Sequence, residues 1–397
     1  QAIASANKIP DRRYKAQVLR NIALIYGNLM SSKIQAYALL DAATNIANQI
    51  TDSGDKACIL SSLAQAYSEL EKSKTAVILF NEAIGNTNEM SKEYFSQKTS
   101  ILRQIIQDIG KFNQREKALI LLNKAIESLN KIEQKQNSWE KAYALIAIAQ
   151  AYENLNPEKD TVPFFDKAIA IANQLNNFER AREKARVLGK IAQGISKLKQ
   201  PEKATALFDK VIASANQINQ DKDKHKTTAL RAIAGAIGKL NEMEQASALL
   251  EKVRVSANQI PNSDNKVNVL NAIAEAYIKI NQAEAVNLFD EAIIITKENF
   301  DSKAFALIEI GEAYEKLNKA KAAALFDEAI NTAKLILNTD DKDYAIEITG
   351  EAAANLKNWG LALKATKECH SEECKAHVLS KALRVHADQK NPELKKE

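Results

Sequence analysis

The chain has 397 residues, 46% of them hydrophobic and 26% charged, with a net charge of +5. Glycine (11) and proline (6) are scarce, which disfavours a loop-rich fold, and no apolar run approaches the roughly 18 residues of a membrane span. Three cysteines are too few for a disulfide scaffold, and the length is unusual for one compact core, leaving several domains or a repeat array.

In chain order, the first segment, QAIASANKIP, matches the second half of later segments such as KAIAIANQL. The chain thus opens inside a repeat. This predicts residues upstream of Gln1 and an apolar edge at Ala2 and Ile3, where an end-to-end contact would fit. From there a phrase recurs: K-A-x-x-L-x-x-I-A-x-A-Y-x-x-L, then A-x-x-x-F-D-x-A-I-x-x-A-N-Q-I. Its opening lysines are Lys15, Lys56, Lys98, Lys141, Lys184, Lys226, Lys266, Lys303, Lys342 and Lys375. Eleven residues later stand Tyr26, Tyr67, Ile109, Tyr152, Ile195, Ile237, Tyr277, Tyr314 and Ala353. Closing asparagines are Asn7, Asn48, Asn88, Asn130, Asn173, Asn216 and Asn258, giving way to Lys297 and Lys334. The mean period is about 41 residues, the signature of stacked helical hairpins.

One unit shows the construction. In Lys184 to Leu198, Leu188, Ile191, Ala192, Ile195 and Leu198 share one helical face. Pro201 opens a second helix, predicted to reach Ile218, with Ala204, Leu207, Phe208, Val211 and Ile212 as its stripe. Small residues recur in the first helix: Ala23, Ala64, Ala149, Ala192, Ala234, Ala274, Gly311 and Gly350. Large ones recur in the second: Leu40, Phe80, Leu122, Phe165, Phe208, Leu250, Phe289 and Phe326. Alternating volumes let helices approach and interdigitate.

This pattern resembles the tetratricopeptide repeat (TPR) over about residues 1–370. Ala64, Tyr67, Ala76, Phe80 and Ala83 match its small and aromatic positions throughout; Ala192, Ile195, Ala204, Phe208 and Val211 match nearly so. The period is longer than the family's 34, and asparagine stands where the family places a helix-ending proline. The resemblance implies an all-α fold, an α-solenoid (right-handed superhelix) of about nine helix-turn-helix repeats, TPR-like, over 1–373. A C-terminal capping helix at 374–389 with a wet outer face and a polar tail at 390–397 follow. The unit after Lys342 is degenerate, with Ala353 for Tyr and Thr366 for Phe.

By the same resemblance the first helices line a concave groove. It would present Arg20, Arg103, Arg186 and Arg231, and one turn on Gln65, Gln107, Gln150, Gln193, Glu275, Glu312 and Glu351. Lys111, Lys197, Lys239, Lys279 and Lys316 lie beyond, and Tyr143, Phe305 and Tyr344 supply aromatics. The implied function is a protein- or peptide-binding scaffold, with the arginines binding carboxylates and the glutamine row giving hydrogen bonds. Charge drifts along the chain, +8 over residues 1–200 and −3 over 201–397, which suits a partner with its own charge asymmetry. Single-stranded RNA binding is the first alternative, disfavoured by the sparse groove aromatics and modest net charge. A ligand- or peptide-sensing module attached to an upstream effector is the second.

Other repeated residues have structural readings. The unit-opening lysines oppose the helix dipole, so the sequence predicts ion pairs to Asp55, Glu140 or Glu183 or to a neighbouring unit, with a phosphate-reading ladder as the alternative. The asparagines are expected to satisfy helix-end carbonyls or bond the next unit. A cluster at the C-terminal end holds Cys369, His370, Cys374, His377 and His386. C-x4-C-x2-H would put Cys369, Cys374 and His377 on a zinc ion; a disulfide is a second reading, and packed thiols with surface histidines are favoured. No Gly-rich phosphate loop, G-x-S-x-G or H-E-x-x-H is present, so neither catalysis nor a cofactor is expected. The cysteine usage and the lack of a targeting segment fit a cytoplasmic protein, and the Asn, Lys and Ile content resembles bacterial usage.

Overall fold

The computed structural model describes residues 2–28, 32–132, 139–175, 180–218, 223–296, 300–315 and 317–390. Lys297, Lys316 and most of the expected polar tail lie outside them. Among the described residues the regular structure is all α-helix apart from one 3-10 turn at Lys92–Tyr94. The chain forms two compact units, Gln1–Ser214 and Ala215–Glu397.

In the first unit the helices are α1 (Ala2–Asn7), α2 (Arg12–Asn28), α3 (Lys33–Asn48), α4 (Ser53–Glu69), α5 (Ser73–Glu89), α6 (Phe95–Ile109), α7 (Arg115–Asn130), α8 (Trp139–Leu155), α9 (Val162–Gln174), α10 (Ala181–Ile195) and α11 (Pro201–Asn216). Pairs α2/α3, α4/α5, α6/α7 and α8/α9 pack as hairpins, and the first helices α2, α4, α6, α8 and α10 touch in succession. The expected helices over 184–198 and 201–218 are α10 and α11. The former starts three residues early, and the latter ends at Asn216.

The second unit repeats the plan with α12 (Asp223–Ile237), α13 (Met243–Asn258), α14 (Ser263–Tyr277), α15 (Gln282–Ile295), α16 (Phe300–Tyr314), α17 (Lys319–Ala333), α18 (Thr339–Asn355), α19 (Trp359–Glu368) and α20 (Glu372–Lys390). Here α12/α13, α14/α15, α16/α17 and α18/α19 are the hairpins, and α12, α14, α16, α18 and α20 stack in turn. Asparagine starts many of these helices. Asn262, Asn281, Asn318, Asn338 and Asn358 each accept from a backbone N–H of the first turn, satisfying donors that have no partner in the helix.

The core follows the alternating volumes. Phe80, Phe165, Phe208, Phe289 and Phe326 are fully buried, as are Ala64, Ala192, Ala234 and Ala274. A Cβ at Gly311 would stand 2.4 Å from the Phe326 ring, so the small residue of one helix makes room for the ring of its hairpin partner. The anchor tyrosines also tie hairpins together. Tyr152 donates to Asn123 Oδ1 at 3.0 Å, Tyr277 to the Ser247 carbonyl at 3.1 Å, and Tyr67 to Asp41, each reaching the second helix of the preceding hairpin.

The unit-opening lysines divide: Lys375 pairs with the preceding acid Glu372 at 2.6 Å, as expected, whereas two others cap the unit before them. Lys15 Nζ donates to the Asn7 carbonyl at 2.8 Å, and Lys98 Nζ to the carbonyls of Asn88 (3.2 Å) and Met90 (2.8 Å). These are C-terminal groups of the preceding second helix, where a cation opposes the negative end of the dipole. Asp55 pairs instead with Arg13 at 2.7 Å, while Lys303 reaches Glu328 at 2.8 Å. Of the asparagines, Asn88 donates to Ser128 Oγ at 3.1 Å and Asn216 to Ser256 Oγ at 2.9 Å, bonds to the next hairpin as expected.

At the end of the second unit α19 has ten residues. The outer side of α19 and α20 departs from a wet capping face: Leu363 and Leu383 are exposed, and with Trp359 and Leu379 they line an apolar groove of about 260 Å³.

Candidate functional site

The first unit holds a cleft on the stacked first helices α6, α8 and α10. It has two overlapping parts, of about 440 and 400 Å³, which share Gln107, Ala147, Gln150 and Lys197. One part is lined also by Arg103, Trp139, Glu140, Tyr143, Lys190 and Gln193. The other adds Lys111, Glu153, Asn154, Phe165 and two glycines, Gly110 and Gly194. The long axis of the cleft is α8. Tyr143, Ala147, Gln150 and Asn154 recur at three- or four-residue spacing and so share a face of that helix.

Glycines set how closely the helices approach. A Cβ at Gly194 would meet the Phe165 ring at 2.8 Å and Ile146 at 2.9 Å, and one at Gly110 would meet Ala151 at 3.0 Å. Hydrogen alone at these points draws α10 and α6 against α8. Polar side chains then stand over an alanine floor formed by Ala147 and Ala151.

The electrostatics are asymmetric along α8. Near its start Trp139 and Tyr143 make an edge-to-face pair with centroids 5.2 Å apart. Burial pushes the Tyr143 phenol up, and the positive charges of Arg186 and Arg103 draw it partly back, which places both guanidinium groups within electrostatic reach of the ring. Near the other end stands Glu153, a buried carboxylate, with Lys111 and Lys197 exposed around it.

The cleft therefore gathers Arg103, Gln107, Lys111, Tyr143, Gln150, Gln193 and Lys197, with Arg186 nearby. Other expected residues are placed differently. Arg20 is half-buried and holds the fold together, Nε donating to the Ser62 carbonyl at 2.9 Å and Nη1 to Asn21 Oδ1 at 3.1 Å. Gln65 donates to Glu69 at 3.1 Å on its own helix. Arg231, Lys239, Glu275, Glu312, Phe305 and Tyr344 belong to the second unit. There Phe305 and Tyr344 form a tilted ring pair at 5.9 Å. Burial and the charges of Glu309, Glu315 and Glu275 raise the Glu312 carboxyl.

Trp139, Glu153, Asn154 and Lys190 also line the cleft without having been expected from sequence, and Glu140, expected only as an ion-pair partner, lines it too. A signal existed for Glu153. It follows the anchor tyrosine at a position where neighbouring repeats carry Ser68, Gly110 and Ser196.

The cysteine–histidine cluster is corrected by the structure. Cys369 and Cys374 form a disulfide, so they are neither packed thiols nor thiolate ligands. His377 Nδ1 faces Glu347 Oε1 at 2.8 Å, an interaction that raises the imidazole pKa, and His386 packs edge-on against Trp359. Among the described residues no His, Cys, Asp or Glu group is arranged to hold a metal ion. No described helix is long and apolar enough to cross a membrane.

No family pattern matches the chain, and no curated protein matches it. Among solved structures it is similar to Ton1535 from Thermococcus onnurineus NA1, with 15% identity, coverage of 96% of this chain and 94% of that one, and a TM-score of 0.35. It is similar to a Rap protein complexed with Competence and Sporulation Factor, with 14% identity, coverage of 92% and 99%, and a TM-score of 0.28. It is also similar to the apo form of the quorum sensor NprR from B. thuringiensis, with 14% identity, coverage of 83% and 90%, and a TM-score of 0.26.

Proposed function

We propose that the first unit is a peptide-binding scaffold whose site is the cleft on α6, α8 and α10. One observation carries this reading: side chains from three successive repeats converge on one continuous cleft whose lining is mostly amide, cationic and aromatic. Glutamine amides both donate and accept, as a peptide backbone requires. Arg103 offers a planar fork for a carboxylate, and Tyr143 and Trp139 offer an apolar seat for a side chain. The α8 segment from Trp139 to Asn154 is roughly 22 Å long, the reach of about seven residues of extended chain. A framework of packed helices loses little entropy on binding, which favours capture of a flexible segment.

The test is charge reversal. Pools of fluorescent heptapeptides are measured by polarisation against the wild-type protein and the double variant Arg103→Glu, Arg186→Glu. Acidic pools that bind the wild type should lose at least tenfold in affinity to the variant. Unchanged affinity would remove the site from this cleft.

A further inference from the structure

Glu153 has a chemistry the rest of the cleft does not explain. Its side chain is buried, the residue being 6% exposed, yet it lines the cleft. Oε1 accepts a hydrogen bond from Thr161 Oγ1 at 2.8 Å, and Thr161 is itself 4% exposed in the connection to α9. That bond holds one oxygen of the carboxylate, and Thr161 is not among the cleft-lining residues. Oε2 is buried and has no hydrogen-bond partner among the described residues. Leaving a carboxylate oxygen dry and unpaired is costly, and the cost falls when a donor arrives.

The described residues do not supply that donor. Asn154, next in sequence, spends its amide on the Gly110 carbonyl at 3.4 Å. Lys111 and Lys197 line the same end but are exposed, where water screens their charge. Glu153 is screened far less, so it interacts more strongly with an incoming charge than either lysine. The opposite end of the cleft holds Arg103. Donor and acceptor ends thus lie apart along α8, with the glutamines between them.

We propose that Glu153 is the acceptor subsite for a cationic hydrogen-bond donor of the ligand, an ammonium or guanidinium group, which sets the direction in which a segment lies along α8. The anionic group then sits at Arg103 and the cationic group at Glu153. This rests on the peptide reading above. The cation can come from the free amino terminus of the segment or from a lysine or arginine side chain, and the ligand chemistry is the same for both.

The experiment uses heptapeptide pools in three forms, with a free amino terminus, with an acetylated one, and with every Lys and Arg replaced by norleucine. Each is measured against the wild-type protein and Glu153→Gln, which retains the side-chain shape and an acceptor for Thr161. We expect acetylation or norleucine replacement to weaken wild-type binding at least tenfold, the form that matters naming the source of the cation. The Gln variant should lose that discrimination. If pools bind but neither change matters, or Glu153→Gln still discriminates, the Glu153 subsite falls while the peptide reading stands. If no pool binds, the peptide reading falls. The subsite is then decided by titrating n-butylammonium and n-butanol while following the methyl resonances of Ala147 and Ala151. Shifts with the ammonium alone, lost in Glu153→Gln, support it; equal shifts or none overturn it.

Discussion

Lys98, at the start of α6, donates through Nζ to the Met90 carbonyl at 2.8 Å, beyond the end of α5. A residue that opens one repeat thereby closes the one before it. Lys15 does the same for Asn7 at the end of α1. Replacing Lys98 with Met keeps the buried stem and removes the donor. We expect Lys98→Met to lose about 1.5–3 kcal/mol, the usual contribution of hydrogen bonds made by a charged group. Lys15→Met, at a more exposed site, should change stability by about 0.5 kcal/mol or less. Urea unfolding followed by circular dichroism distinguishes the two; equal losses would refute the capping role.

Lys184 holds the same repeat position and is 1% exposed. Burial lowers its pKa from 10.5 to about 8. Its folded-state value is thus below its unfolded one. Under pH 8 both states are charged and the folded state bears the burial cost. Above 10.5 both are neutral and the cost is gone. Stability relative to Lys184→Met should therefore rise between pH 8 and 10.5, by about 1–3 kcal/mol. Burial also raises the phenols of Tyr67 and Tyr314, which lowers stability above pH 10 in both proteins and cancels in the difference. Matched urea midpoints at pH 7 and 10 provide the check, and a pH-independent difference would contradict it.

Gly194 faces the Phe165 ring so closely that an added methyl group must displace it. Gly194→Ala should cost about 1–3 kcal/mol through overpacking, and Phe165→Ala about 3–5 kcal/mol through the cavity it leaves. Gly235, where a Cβ meets nothing within 4 Å, is the control, and Gly235→Ala should be neutral or stabilising by about 0.5–1 kcal/mol because alanine is the better helix former. Thermal melts of the three variants test the order.

The Cys369–Cys374 disulfide leaves Cys58 as the free thiol. Denatured, unreduced protein should take up one iodoacetamide group, and reduced protein three, as read by intact mass. In the native state alkylation of Cys58 should be slow, since burial raises its pKa. Three groups without reductant would show that the bond does not form.

Much of the fold is legible in the sequence because a helical repeat is a local object. The stripe Leu188, Ile191, Ala192 and Ile195 predicts a buried face from spacing alone, and all four are fully buried. Gly311 and Phe326 announce their contact by size. The site is legible in part: Gln107, Gln150 and Gln193 stand nine residues after the opening lysines of successive repeats, so a shared register places them on one surface, with Arg103 one turn before that row and Lys111 and Lys197 one turn beyond it. The register misses Trp139 and Glu153, whose identities the repeat does not fix.

The sequence by itself determined the period, the hairpin, and which residues face the core, since each depends on spacing along a single helix. Only the tertiary structure decided where each polar group spends its hydrogen bonds. Lys98 reads as a cation at the wrong end of a dipole until α5 is placed against it. Arg20 and Arg103 share a register, yet one is held by the Ser62 carbonyl and the other lines a cleft. Cys369 and Cys374 read as packed thiols until the turn between α19 and α20 brings their Cα atoms to 5.7 Å. A hydrogen bond or a disulfide depends on ångström-scale distances between segments, and those are set by packing rather than by pattern.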